Sequence, residues 1–264
     1  MGQFTYDSFN SSDFDLAVKG EKSYTVANRK LTTESLPGVF GEIITDTQFE
    51  NVTVTYDCSI LNKTITYNGD GIPGVKVHYT TLQDIVDNIS DNLLLLSEED
   101  KHNGSIKYRK LTDSWHPGEF RMAVIGGALN IKPLLVVDGE YTAMNLSISF
   151  KCKPQRFLDS GDEFITVNSG DVLHNPTGFR ASPLLQVTGK GTIIVDGQTI
   201  IISADCPSDS VTIDCETMDA YNGTTNLNKY VELPVDDIVL TRGQNKVTYT
   251  GITSLQMKTR WWRI

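Results

Sequence analysis

The sequence lacks the side-chain patterns on which most enzyme chemistry depends. Its 264 residues hold four cysteines, Cys58, Cys152, Cys206 and Cys215, with no CxxC pair and too few for a disulfide scaffold. Reduced, mostly buried thiols are expected. His78, His102, His116 and His174 form no HxH or HExxH spacing, and none is paired with a cysteine at ligand spacing, so the common zinc frames are missing. There is no GxSxG, and Cys152 falls on the inward face of a strand, where a thiol ionises poorly. Gly189-Lys190-Gly191-Thr192 carries a Gly-Lys pair without the glycine frame or the following helix of a phosphate loop, and reads as a hairpin turn. The turn cluster Asn68-Gly69-Asp70-Gly71 lacks the further oxygen ligands of a calcium loop. Adjacent Asp236 and Asp237 give no separation across a sugar of the kind glycoside hydrolysis needs. The expectation is a protein with no catalytic residues, no metal and no cofactor.

A basic excess is also missing. The formal charge is -10, spread through both halves, which argues against a partner gripped by its phosphates, because that affinity comes from Lys and Arg displacing counterions. No apolar run approaches the length that spans a bilayer, and MGQFTYDSF shows no basic region followed by an apolar core. No membrane partner and synthesis in a cytoplasm are expected.

What is present is β-structure in two parts. From Met144 to Lys153, Met144, Leu146, Ile148, Phe150 and Cys152 alternate with Asn145, Ser147, Ser149, Lys151 and Lys153, the period of a strand with one buried face. Pro154 removes a backbone donor, so pairing is expected to stop there and the chain to turn. Before this strand, Glu50 to Cys58, Lys63 to Tyr67, Val75 to Tyr79, Ser105 to Leu111, Phe120 to Ile125 and Leu134 to Val137 also read as strands, as does the stretch around Tyr24-Thr25-Val26. Leu36-Pro37-Gly38-Val39-Phe40-Gly41 reads as a turn. One helix is predicted: Thr81 with Asp84 resembles a capping box, and Leu82, Ile85, Val86, Ile89, Leu93 and Leu96 recur at helical spacing, with Ser97 to Gly104 ending it as a loop.

Beyond Phe157 the pattern is many short strands without a helix, which points to a sandwich. They include Phe164 to Val167, Leu184 to Val187, Thr192 to Val195, Thr199 to Ser203, Val211 to Cys215, Ile238 to Leu240, Lys246 to Tyr249 and Leu255 to Ile264, with a tight Asp196-Gly197 hairpin. In the last strand Trp261 belongs to the core face and Trp262 to the other, where a bare indole would leave much apolar surface wet. Trp262 is therefore expected to pack against the other domain or a partner chain.

Trp115-His116-Pro117 with Phe120-Arg121, Phe150-x-Cys152-Lys153-Pro154-Gln155-Arg156-Phe157, Asn175-Pro176-Thr177, Ser182-Pro183-Leu184-Leu185, Asp214-x-Glu216 with Ala220-Tyr221, Gly243-x-Asn245 and Arg260-Trp261-Trp262 occur in this order over nearly the whole chain. This set resembles the distal tail proteins of bacteriophages with long, non-contractile tails. The resemblance implies a mainly β protein. Residues 1–152 would be a ring-forming, sandwich-like domain with one helix and a projecting arm, and residues 153–264 a galectin-like β-sandwich. Cys152, Lys153, Pro154, Gln155, Arg156 and Phe157 would form the hinge between them.

It further implies a homohexameric ring at the virion tail tip, made in the host bacterial cytoplasm. Such a ring joins the tail-tube protein to the tail-associated hub protein, and in many relatives anchors a receptor-binding protein. DNA passes through its lumen without specific binding. Trp115, His116, Phe120, Arg121 and Trp262 are the candidate interface residues. The galectin-like label is one of fold and carries no lectin activity with it. The alternative is a carbohydrate-binding β-sandwich module that recognises host cell-wall sugars, with Trp115, His116 and Tyr221 as stacking side chains.

Overall fold

A computed structural model describes residues 2–20, 26–38, 40–61, 66–67, 77–78, 81–102, 104, 106–126, 129–137 and 140–264. The expected turn at Asn68 to Gly71, and most of the strands expected around Tyr24 and Val75, lie outside these residues. The chain divides into two compact units, Met1–Arg156 with Ile264 and Phe157–Arg263. Both are mainly β.

The first unit contains β1 (Phe4–Tyr6), β2 (Phe9–Asn10), β3 (Ala17–Val18), β4 (Arg29–Glu34), β5 (Ile43–Phe49), β6 (Val52–Leu61), β7 (Thr66–Tyr67), β8 (Val77–His78), α1 (Leu82–His102), β9 (Arg109–Asp113), β10 (Glu119–Ile125) and β11 (Asn130–Val137). It also holds most of the long strand β12 (Glu140–Leu158). Its main sheet runs β2-β1-β9-β10-β12-β6-β3, with β11 paired to β12. The alternation in β12 lands as its sequence demands: Met144, Leu146, Ile148, Phe150 and Cys152 are all buried. Around them Phe4 stacks on Tyr56 at 4.3 Å, and Phe150 meets the ring of Tyr6 at 4.8 Å. Fully buried Leu82, Ile85, Val86, Ile89 and Leu93 place one stripe of α1 in the same core.

Two expectations fail here for local reasons. Pro154 does not end β12, which continues to Leu158. The register with β6 closes at Cys152 opposite Val52, where β6 begins, so on that side the missing N–H of Pro154 removes no rung. Likewise α1 does not stop at Ser97 but runs to His102. Ser97 to His102 contains neither Gly nor Pro, and the first residue suited to a helix stop is Gly104, at φ +103°. The start is as expected, since Thr81 Oγ1 and Asp84 Oδ2 cap one another's amides at 3.2 and 3.1 Å.

The second unit contains β13 (Ile165–Thr166), β14 (Val172–Asn175), β15 (Leu184–Val195), β16 (Gln198–Ile202), β17 (Ser210–Asp214), β18 (Asp219–Asn222), β19 (Thr225–Asn226), β20 (Val231–Glu232), β21 (Gly243–Lys258) and β22 (Trp262–Arg263). The strand order is β13-β21-β15-β17-β18-β19, with β14 on β21, β16 on β15 and β20 on β16. Inward residues of β15, β16, β17 and β21 share one core with Trp261.

Several separately predicted strands merge. Residues 184–187 and 192–195 belong to the single strand β15, so Gly189-Lys190-Gly191 is a bulge within a strand and not a hairpin turn. A Cβ on Gly191 would lie 2.1 Å from the Thr250 carbonyl oxygen, which explains why glycine is needed at this close crossing. The turn itself is Asp196-Gly197, both at positive φ, as the hairpin signal predicts. Ile238 to Leu240 is not a strand; it contributes one bridge, Leu240 to Ala181.

An ion pair ties the C-terminal end of this unit to the end of β17. Arg260 grips Asp214 with both guanidinium nitrogens, at 2.7 and 3.0 Å. Burial alone would raise the Asp214 carboxyl, but the Arg260 hydrogen bonds and the Glu216 and Thr217 amides hold it below the usual carboxylate range. A depressed folded-state pKa stabilises above the unfolded value, near pH 4, and that stabilisation is lost as pH falls through the folded value. Asp214→Ala is therefore expected to cost about 1.5–3 kcal/mol at neutral pH. In urea titrations its deficit against the native protein shrinks as pH drops below about 4. An undiminished deficit there would show that the charge on Asp214 contributes nothing.

Candidate functional site

No group of three His, Cys, Asp or Glu side chains among the described residues could hold a metal ion. All four cysteines are buried, and burial pushes the thiols of Cys152 and Cys215 up to about 12. Asp236 and Asp237 are exposed and lie outside any strand. Among the described residues no helix is long and apolar enough to cross a membrane.

What stands out is apolar surface. Strands β4 and β5 pair with each other as a two-stranded sheet, and nearly every residue in them is exposed. Leu31, Ile43 and Ile44 lie on this hairpin, and the turn between its strands carries Leu36 and the fully exposed Phe40. Arg29 sits 5.2 Å from the centre of the Phe49 ring at its base. An isolated two-stranded hairpin is at best marginally stable in water, and this one presents its large side chains to solvent. A second exposed apolar row, Ile131, Leu134, Leu135 and Val136, lies on β11. Both features belong to the first unit.

The residues picked out from sequence are placed differently. Trp115, His116, Phe120 and Arg121 cluster at the β9–β10 turn and are half-buried or buried within their own unit. Asp113 organises this turn: its carboxylate accepts from Tyr56 Oη at 2.8 Å, lies 2.7 Å from His116 Nδ1, and accepts from the Trp115 and His116 amides. Trp115 stacks near Tyr56, and a Cβ on Gly2 would run into its ring. Phe120 is buried beneath the Lys110 ammonium, 4.0 Å from its ring centre. Burial pushes the Arg121 guanidinium down, while the neighbouring Cys152 and Glu119 act against that.

Among the residues expected to form a hinge, all of which lie within β12, Cys152 is buried, Lys153 lies over the Tyr108 ring at 5.4 Å, and the Pro154 carbonyl accepts from Arg121 at 3.5 Å. The Gln155 Oε1 atom is buried without a hydrogen bond. Arg156 pairs with Glu119 at 2.8 Å and donates to the Ile264 carbonyl at 2.8 Å. Phe157 is half-buried. Trp262 stacks on Phe179 at 4.4 Å, and its indole N–H donates to the Arg180 carbonyl at 2.8 Å, so this ring finds partners inside the second unit. The arm residues Leu31, Ile43 and Ile44 escaped the sequence reading. Their one signal was two short apolar-containing runs on either side of the Pro-Gly turn.

Two β-rich units in series, the first carrying one helix and an exposed hairpin, define a two-unit β fold that is shared with solved phage adsorption-apparatus and baseplate chains. The likeness spans the chain. The crystal structure of the Dit protein of phage SPP1, described as a paradigm of the hub adsorption apparatus in phages infecting Gram-positive hosts, superposes with a TM-score of 0.65 over 97% of both chains at 14% identity. A chain of the phage p2 baseplate in its activated conformation with strontium matches with a TM-score of 0.53 at 9% identity, covering 100% of this chain and 98% of that one. A chain of the calcium-activated baseplate matches with a TM-score of 0.51 at 8% identity over 97% of each chain. No protein-family model and no curated protein sequence matches the chain.

Proposed function

We propose that this protein is a structural component of a phage tail tip, a distal tail protein that works by assembly and makes or breaks no covalent bond. In this reading six copies close into a ring through the first unit. The ring joins the tail-tube protein to the tail-associated hub protein and supplies an anchoring surface for a receptor-binding protein, and DNA leaves through its lumen without specific binding. The observation that carries the reading is the exposed β4–β5 arm, an apolar element without a core of its own in a fold shared end to end with a phage hub protein.

A cyclic ring repeats one heterologous contact, so each subunit needs two different complementary surfaces. The arm and the β11 row supply two such surfaces, and each contact is expected to bury about 1,200–2,000 Å². Light scattering after size exclusion, on the protein alone and mixed with its tail-tube protein, tests this. A hexamer or a multiple of one is expected. A monomer under both conditions at every concentration overturns the proposal.

A further inference from the structure

We propose that the second unit carries a binding site for a sugar- or polyol-sized ligand bearing an oxyanion, phosphate or carboxylate, in the recess between residues 174–178 and residues 242–243. This site is independent of ring assembly. The recess measures about 390 Å³ and is lined by His174, Asn175, Pro176, Thr177, Gly178, Arg242 and Gly243. That volume lies within the roughly 300–1,000 Å³ typical of small-molecule sites.

The two walls are held in place by buried amides. Asn175, almost wholly buried, donates to the Phe179 and Leu240 carbonyls at 2.9 and 3.1 Å, and its Oδ1 accepts from the Thr177 amide and hydroxyl at 2.9 and 2.8 Å. Opposite, the buried Asn245 accepts from the Thr241 amide at 2.6 Å and donates to the Thr241 and Gly243 carbonyls at 2.9 and 3.0 Å. Pairing of His174 and Asn175 in β14 with Gln244 and Gly243 in β21 locks the two segments together. A surface recess fixed in this way loses little freedom when a ligand enters.

Its chemistry selects for negative charge. No carboxylate lines the recess, although the chain as a whole carries -10. Arg242 and His174 do line it. Among the described residues neither side chain makes a hydrogen bond or ion pair, so the Arg242 guanidinium keeps its full fork of donors for a planar or tetrahedral oxyanion. A Cβ added to Gly178 or Gly243 would meet nothing within 4 Å, so space remains for the uncharged body of a ligand, with Pro176 as the apolar wall.

The test is calorimetric or NMR titration of the full chain at low ionic strength with glucose 6-phosphate, glucuronate, inorganic phosphate and glucose. Saturable binding of glucose 6-phosphate or glucuronate is expected, with glucose at least tenfold weaker, and the tighter of the two anions identifies the oxyanion. Arg242→Ala should weaken binding about tenfold or more. Gly178→Trp should abolish it while leaving the thermal midpoint within a few degrees of the native protein. Binding unchanged in Arg242→Ala, glucose binding as well as its anions, or inorganic phosphate binding with neither sugar anion would each overturn the proposal.

Discussion

The double variant Leu31→Glu, Ile44→Glu is expected to fold as the native chain does and to lose its assembly. Both side chains are about half exposed on the arm, so the isolated subunit gives up almost no packing. Such surface changes usually stay within about 0.5 kcal/mol. In a closed ring the same positions would be buried, and a carboxylate forced there without a partner costs several kcal/mol. At 1.4 kcal/mol per decade, each contact weakens by at least about 100-fold, and a cyclic assembly loses that at every junction. If the native protein assembles as proposed, light scattering should find the variant monomeric, while far-UV circular dichroism and the thermal midpoint stay unchanged. Val235→Glu is the matched control, because Val235 is a fully exposed apolar residue that belongs to the second unit and not to the arm. If the arm variant assembles as well as the control, the arm is not the contact.

The arm also shows where the sequence stops being informative. Period-two alternation reports that a strand has two unlike faces, and in β12 the apolar face meets the unit's own core. Sequence alone does not distinguish a face covered by the same chain from one covered by another copy, so Ile43 and Ile44 gave no warning of their exposure. The helix was easier, because the Leu82 to Leu93 stripe and the Thr81–Asp84 cap agree with each other. Its end was not, since a run of charged residues serves equally as a solvated loop or as the outer turns of a helix.

Glycine punctuation was ambiguous for a different reason. Gly189-Lys190-Gly191 and Asp196-Gly197 look alike as text, yet one is a bulge and the other a turn. The difference lies in Thr250 and Gly251 on the neighbouring strand, which crowd the first pair and leave the second open. The Arg242 recess was invisible because its two walls are remote in sequence and meet only through the β14–β21 register. The aromatic turn Trp115 to Arg121 drew attention by composition. Its Trp115 and His116 amides and the His116 ring serve the Asp113 network that fixes the turn.

Gly161 exposes the same limit on a larger energetic scale. In sequence it is one glycine in the polar stretch Leu158-Asp159-Ser160-Gly161-Asp162, where a substitution would look harmless. In the structure it is buried, and a Cβ there would lie 2.4 Å from the Trp261 backbone nitrogen and 3.2 Å from Arg260 backbone atoms. The obstruction is main chain, which cannot swing aside as a side chain can. Two features of the second unit depend on that close approach. The Arg260 amide donates to the Gly161 carbonyl at 2.8 Å, and Arg260 itself holds φ +52°, a costly conformation for arginine that persists only while its surroundings enforce it. Moving the 260–261 backbone outward would also shift Trp261 in the core and the Arg260 grip on Asp214. Gly161→Ala is accordingly expected to destabilise the second unit by about 3 kcal/mol or more, the range for strain combined with lost core packing. Near-ultraviolet circular dichroism and tryptophan fluorescence during urea unfolding measure it. Gly170→Ala is the comparison: unlike Gly161, Gly170 has positive φ, and nothing lies within 4 Å of its Cβ position, so it carries only the backbone cost of about 1 kcal/mol. Equal losses in the two variants would mean that the approach of Gly161 to Trp261 is not what holds this end of the sandwich closed.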